Sequence, residues 1–139
     1  MAHIVMAERP DHVIHLGDHV RDADEIANRF PELFVTRVVG NCDHITMCSE
    51  KLIREFEGFR FFLTHGHHYG VKSGLLRLTY AALEAEADVV LFGHTHIPVY
   101  EVRENLTYLN PGTCSRSTGT YAVIDIRSGQ MSCQIKSIE

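Results

Sequence analysis

The chain has 139 residues, of which 45% are hydrophobic and 22% are charged, and its formal net charge is -5 at pH 7. This composition is typical of one globular domain, so we expect residues 1–139 to fold around a single core. The acidic balance argues against stable binding to nucleic acid, which normally requires a basic face. No apolar run approaches the ~20 residues of a membrane span and no signal peptide is evident, so we expect a cytoplasmic protein.

Four apolar segments share one pattern: each has β-branched or aromatic residues followed by a glycine and a potential metal ligand. They are residues 12–18 with Asp18, residues 33–41 with Asn41, residues 59–66 with His65, and residues 88–94 with His94. Buried strands of an α/β sheet have this composition, and ligands collect in the loops at their carboxyl ends. The pattern therefore predicts an α/β fold with a site at one edge.

The segments between and after these strands predict two helices and several hairpins. Residues 22–30 predict a short helix, and residues 72–87 predict a longer one with a wide apolar stripe that could cover a sheet. The stripe comprises Leu75, Leu76, Leu78, Tyr80, Ala82 and Leu83. Turn residues at 57–58, 104–105 and 128–129 predict antiparallel hairpins from strands 51–56 and 59–63, 99–103 and 106–109, and 120–126 and 131–138.

The residues at the four strand ends suit a metal centre. Each has an ordinary structural explanation when taken alone, such as capping a turn, but their common position after buried strands favours convergence on one site. Carboxylate, amide and imidazole donors suit Mn, Fe, Ni, Co or Zn. This is also the donor set of two-metal hydrolases, in which Asp18 is the only strand-end carboxylate that could bridge both ions.

Five motifs in this order resemble those of the calcineurin-like metallophosphoesterases, and most closely the small phosphodiesterase branch of bacteria and archaea. They are GD at 17–18, GNCD at 40–43, THGH at 64–67, GHTH at 93–96 and NPGT at 110–113. The resemblance implies an αββα sandwich with the ligands in loops at one sheet edge. It also implies metal-dependent hydrolysis of a small phosphodiester or phosphomonoester by a metal-bound hydroxide.

The resemblance implies roles for six residues when the motifs are matched position by position. Asp18 would bridge two divalent transition metals, Asn41, His65 and His94 would complete the second site, and His96 would bind the first. The implied catalytic residues are Asp18, Asn41, His65 and His67, of which His67 lies near the metals and is usually not a ligand.

One departure from the family pattern concerns the leaving group. Cys42 stands where the protein-phosphatase branch has a histidine, so the usual general acid is absent. The small phosphodiesterase branch commonly has cysteine here. Leaving groups of low pKa should therefore be favoured over poor alkoxides.

A second departure concerns the start of the chain. The family normally opens with a strand that ends in Asp-x-His and supplies two ligands to the first metal, and no such strand is present here. We therefore expect an N-terminally truncated form of the fold with an incomplete first metal site. We also expect residues 2–8 to form a short helix with little to pack against.

Two other functions compete with the phosphodiesterase. The small subunit of the retromer coat uses the same architecture as a protein-interaction scaffold with a degraded metal site, and loss of Asp-x-His could mark the same role here. A structural zinc domain built on the two histidine clusters would leave Asp18 and Asn41 unexplained. Metal-dependent turnover would distinguish the enzyme from both, and a homo-oligomer is compatible with each.

Overall fold

The computed structural model describes residues 1–43, 48–114 and 118–138. Within these ranges the helices are α1 (Ala2–Glu8), α2 (Arg21–Arg29) and α3 (Leu76–Glu84), with 3-10 turns at His67–Tyr69 and Val71–Ser73. The strands are β1 (His12–His15), β2 (Phe34–Arg37), β3 (Lys51–Phe56), β4 (Phe59–Thr64), β5 (Val89–Leu91), β6 (Val99–Arg103), β7 (Leu106–Asn110), β8 (Thr120–Arg127) and β9 (Gln130–Ser137). None of these helices is long and apolar enough to cross a bilayer.

The strands form one large sheet and two small ones. The large sheet has the order β3-β4-β5-β7-β6, in which β4, β5 and β7 are parallel and the two outer strands are antiparallel to their neighbours. Strands β1 and β2 form a parallel pair, and β8 and β9 form an antiparallel pair. The three predicted hairpins are therefore confirmed, and β7 has a further, parallel partner in β5.

The two faces of the large sheet are covered by different layers. Successive side chains of a strand point to opposite faces, so Phe62 packs with Leu78 of α3, whereas Phe61 packs toward the small sheets. Side chains from β1, such as Ile14, and from β8, such as Ile124, share that second core. With α2 packed on β2, the layers form the predicted αββα sandwich.

The predicted long helix over residues 72–87 is wrong in its extent and in the width of its buried face. Gly74 has φ 133° and ψ 174°, which is incompatible with a helix, so residues 71–73 form a separate 3-10 turn and α3 begins at Leu76. Leu78 and Ala82 are fully buried and Leu75 packs against the same core. The remaining members of the predicted stripe are exposed, namely Leu76, Tyr80 and Leu83.

Helix α1 is anchored through its last residue. None of its residues is buried, but Glu8 accepts hydrogen bonds from Tyr121 on β8, at 2.7 Å, and from Lys136 on β9, at 2.8 Å. The expectation of a helix is confirmed, and the expectation that it has little to pack against is wrong at this residue. The hydrogen bonds from Lys136 and Tyr121 hold the pKa of the Glu8 carboxyl below its ordinary value.

The Glu8 contacts predict a pH-dependent contribution to stability. A carboxyl whose pKa is lower in the folded state stabilises the fold above its ordinary pKa of about 4.3, and this contribution is lost as the pH falls through the lower folded value. Glu8→Gln should therefore lower the melting temperature at pH 7 and change it less at pH 3. The exposed Glu84→Gln is the control, and an equal effect of Glu8→Gln at both pH values would contradict the prediction.

Candidate metal centre

The site forms where β1 and β2 end side by side. Gly17 has φ 100°, and a Cβ atom on it would lie 2.7 Å from the backbone nitrogen of Gly40 and 2.8 Å from Nδ1 of His65. A side chain at position 17 would therefore separate these groups, which explains the glycine. Asp18 follows with φ 55°, a left-handed conformation that is uncommon outside glycine and that is concentrated at functional sites.

Asp43 fixes the loop after β2. Its two carboxylate oxygens accept hydrogen bonds of 2.8 Å from the backbone N–H groups of Val20 and Gly40. Burial alone would raise the pKa of this carboxyl, but the hydrogen bonds from the backbone outweigh burial and lower the pKa below its ordinary value. Asp43 is part of the GNCD motif, but its role was not predicted; the signal available was a carboxylate just beyond a glycine turn.

His65 is the centre of the cluster and is only 2% exposed. Its Nδ1 lies 2.8 Å from the backbone carbonyl oxygen of Leu16. Because a carbonyl oxygen only accepts, Nδ1 carries a proton, and in the neutral form of the ring, which is the form that binds a metal, Nε2 carries a lone pair. A backbone carbonyl that orients a histidine in this way is a common arrangement behind metal-ligating imidazoles.

Three polar atoms surround the lone pair of His65 Nε2. Asn41 Oδ1 lies 2.9 Å away, His94 Nδ1 lies 3.2 Å away and Asp18 Oδ2 lies 3.4 Å away. A proton on His94 Nδ1 could be donated to His65 Nε2, but the oxygens of Asn41 and Asp18 would still face the nitrogen lone pair. With the ring neutral, such a group of acceptors is unfavourable alone and is stabilised by a cation, which is either a metal ion or a proton on Nε2.

The donor set fits a divalent transition metal. Ligands about 2.0–2.2 Å from one ion lie roughly 3–3.5 Å from their neighbours, which is the separation found around His65 Nε2. In the part of the chain that the structure describes, no group of three or more His, Cys, Asp and Glu side chains alone is arranged to hold a metal. A metal site in this cluster would therefore have to include the amide oxygen of Asn41.

The loop that carries His94 is held by a buried asparagine. Asn110 is fully buried, and its Nδ2 donates to the carbonyl oxygen of Gly93 at 3.1 Å and to Oγ1 of Thr95 at 3.0 Å. The backbone N–H of Gly93 donates to the carbonyl oxygen of His65 at 2.9 Å, which joins the two histidine loops. Burial lowers the pKa of His94, which favours the neutral ring that a metal ligand requires.

His67 and His96 are the two predicted site residues that form no hydrogen bond with the cluster among the described residues. The ring of His67 is 5.3 Å from that of His65 and 6.1 Å from that of His94, and its Nδ1 is buried without a hydrogen-bond partner among the described residues. His96 is exposed and, in residues 1–43, 48–114 and 118–138, forms no hydrogen bond with the other predicted ligands. The structure thus brings together Asp18, Asn41, His65 and His94, and the role of His96 stays a prediction.

Cys42 contributes its backbone to the site more than its thiol. Its N–H donates to Oδ1 of Asp18 at 2.9 Å, which fixes the carboxylate. The negative charge of Asp18 raises the pKa of the exposed Cys42 thiol, so the thiolate form needed for nucleophilic attack is disfavoured.

Comparison with known proteins identifies the family. Residues 1–129 match the calcineurin-like phosphoesterase superfamily domain. The chain is 36% identical over 123 residues to the probable metallophosphoesterase YsnB of Bacillus subtilis, a match that covers 85% of this chain and 70% of YsnB. It is 33% identical over 117 residues to the phosphodiesterase YfcE of Escherichia coli, covering 73% of this chain and 59% of YfcE.

A solved structure agrees with the fold. The crystal structure of a predicted phosphoesterase from Streptococcus pneumoniae superposes with a TM-score of 0.79 at 24% identity, covering 97% of this chain and 79% of that one. The chain belongs to the calcineurin-like phosphoesterase superfamily, and the family predicted from its motifs is confirmed. The names of its relatives support phosphoester hydrolysis.

Proposed function

We propose that the protein is a metal-dependent phosphodiesterase that acts on a small phosphoester, in the cytoplasm and without stable binding to nucleic acid. The observation that carries this proposal is the convergence of Asp18, Asn41 and His94 on the lone pair of His65 Nε2. These four residues would hold one divalent ion. His96, together with Asp18, would contribute to a second ion.

The residues around the cluster have positioning roles in this proposal. A bound divalent ion supplies a water molecule of lowered pKa and neutralises charge on the phosphoryl group. The carbonyl of Leu16 keeps the His65 proton on Nδ1, and the N–H of Cys42 orients the Asp18 carboxylate. The ring of His67 lies 5.3 Å from that of His65 and its Nδ1 has no hydrogen-bond partner among the described residues, so we assign His67 a contact with the phosphoryl oxygens.

The leaving group should be a weak base. A poor alkoxide leaving group needs a proton donor, and the position that supplies an imidazole in the protein-phosphatase branch is occupied here by Cys42. The pKa of that thiol is raised by Asp18, and a neutral thiol is a weak hydrogen-bond donor. Aryl phosphodiesters, which leave as stable phenolates, should therefore be better substrates than simple alkyl phosphodiesters.

A protein-interaction scaffold is the weaker alternative. A scaffold has no use for a buried imidazole oriented by a backbone carbonyl toward two oxygens. The left-handed conformations of Asp18 and His94 also cost of order 1–3 kcal/mol each, a cost that a site with a function can explain.

The proposal is tested by metal content and metal-dependent turnover of the purified protein. After incubation with Mn²⁺ or Ni²⁺ and dialysis, elemental analysis should find at least about one ion per chain, because the four donors match such ions. Hydrolysis of bis(p-nitrophenyl) phosphate should be lost on chelation and restored when the metal is returned. The exposed Asp11→Asn, outside the cluster, is the control and should behave as the wild type.

Two results would contradict the proposal. Protein that retains no metal after loading would show that the cluster does not bind one. Metal-loaded protein without turnover of any aryl phosphodiester would favour the scaffold.

A further inference from the structure

A cavity of about 210 Å³ opens beside the metal centre, at the carboxyl end of β4. It is lined by Glu50, Lys51, Thr64, His68 and Tyr69. Clefts that bind drug-sized ligands measure roughly 300–1,000 Å³, so this one is suited to a single substituent of about the size of a sugar.

The imidazole ring of His67 connects the cavity wall with the metal cluster. The ring of His68, in the cavity wall, lies 4.0 Å from that of His67, which in turn lies 6.1 Å from that of His94. Thr64, at its base, directly precedes His65. A phosphodiester whose phosphoryl group lies at the cluster can therefore extend one of its two substituents into the cavity.

The wall of the cavity is held in place by a hydrogen bond, by ring packing and by one ion pair. Thr64 Oγ1 donates to the backbone carbonyl oxygen of Glu50 at 3.2 Å, and the ring of Tyr69 packs edge-on against Phe62 with centroids 5.8 Å apart. Glu50 Oε1 lies 3.1 Å from Nε2 of His68, and its side chain is 64% exposed. A carboxylate has about four acceptor positions, so most of its capacity remains for a ligand.

The charges of the lining select the kind of substituent. The opposite charges of Glu50 and Lys51 leave the lining with little net charge, which suits a neutral substituent, and the Glu50 carboxylate accepts hydrogen bonds from groups that donate them. Two adjacent hydroxyl groups match the two oxygens of a carboxylate, as in the recognition of a ribose by an acidic side chain. We propose that this cavity is a substituent subsite in which Glu50 binds the vicinal diol of a ribose or glycerol phosphodiester.

This inference rests on the proposed phosphodiesterase function, and matched substrates test it. The pairs are the p-nitrophenyl phosphodiesters of uridine (5′-linked) and 2′-deoxyuridine, and those of glycerol and propanol, assayed with metal-loaded protein. The diol substrate should have about tenfold higher kcat/KM than its partner, mainly through KM, because a hydrogen bond to a charged group is lost in the partner. The pair that shows the larger ratio of kcat/KM, diol substrate over its partner, indicates whether the subsite prefers ribose or glycerol.

Glu50→Gln should abolish this preference while leaving the substrates without a diol within about twofold, since their binding does not use the carboxylate. The matched control is Glu55→Gln, an exposed glutamate on β3 that is near Arg60 and outside the cavity. Product inhibition is an independent readout: uridine 5′-phosphate should inhibit Glu50→Gln less strongly than wild type, and inorganic phosphate should inhibit both equally.

The outcomes separate the subsite from the proposed function. Wild type that hydrolyses both members of each pair equally would overturn the subsite and leave the phosphodiesterase intact, as would a Glu50→Gln variant that keeps the diol preference. Absence of turnover with all four substrates, including those without a diol, would instead overturn the phosphodiesterase function on which the subsite rests.

Discussion

Asp18→Asn should reduce the metal-dependent hydrolysis of bis(p-nitrophenyl) phosphate by at least roughly 100-fold, because changes in residues that only support a ligand already cost 10–100-fold. The substitution keeps the shape of the side chain and an oxygen that can accept from the Cys42 N–H. It removes the negative charge beside His65 Nε2. His94→Ala should have an effect of similar size, since it removes a second donor of the cluster.

Metal content should fall together with activity in both variants. Asp11→Asn and His3→Ala change exposed residues of the same types away from the site, and they should retain wild-type metal content and turnover. If Asp18→Asn is as active as wild type once contaminating phosphatases are excluded, then Asp18 is not a ligand and the assignment of the site is wrong.

Gly40→Ala should remove metal binding and activity as completely as loss of a ligand does. A Cβ atom at this position would overlap the Oδ1 atom and the backbone nitrogen of Asp18. The two loops must then separate, which breaks the 2.8 Å hydrogen bond from the Gly40 N–H to Asp43 and displaces the carboxylate of Asp18. Overpacking of this kind typically costs 1–3 kcal/mol of stability.

Gly93→Ala is the matched control for this prediction. Gly93 also directly precedes a cluster residue, His94, but a Cβ atom on it would have its nearest neighbours at 3.7 Å, which is ordinary contact. Metal content, turnover and melting temperature should therefore change little in Gly93→Ala and strongly in Gly40→Ala. Equal behaviour of the two variants would show that the close approach of Gly40 to Asp18 has no role in the site.

Much of the secondary structure could be predicted because its signals are local. The three hairpins were predicted almost to the residue, since alternating apolar residues and turn residues such as Glu57 and Gly58 act over a few positions. The helix over 72–87 could not be predicted correctly from periodicity. Gly74 adopts a backbone conformation that terminates the 3-10 turn at residues 71–73, and α3 begins only after it. A glycine within an apolar pattern does not reveal such a break in advance.

The sequence by itself determined the family and the residue types of the site, because the position of Asp18, Asn41, His65 and His94 after apolar strands is a property of the chain alone. Only the tertiary structure decided how these residues act together. The carbonyl that sets the His65 proton belongs to Leu16, 49 positions earlier.

Other parts of the site also depend on tertiary packing. The asparagine that holds the His94 loop, Asn110, lies 17 positions beyond Gly93, whose carbonyl oxygen it binds. Asp43 likewise accepts hydrogen bonds from the backbone N–H groups of Val20 and Gly40, and so joins the loops after β1 and β2. Hydrogen-bond partners of buried groups are set by which strands pack together, and local sequence patterns do not specify the individual partner at such separations.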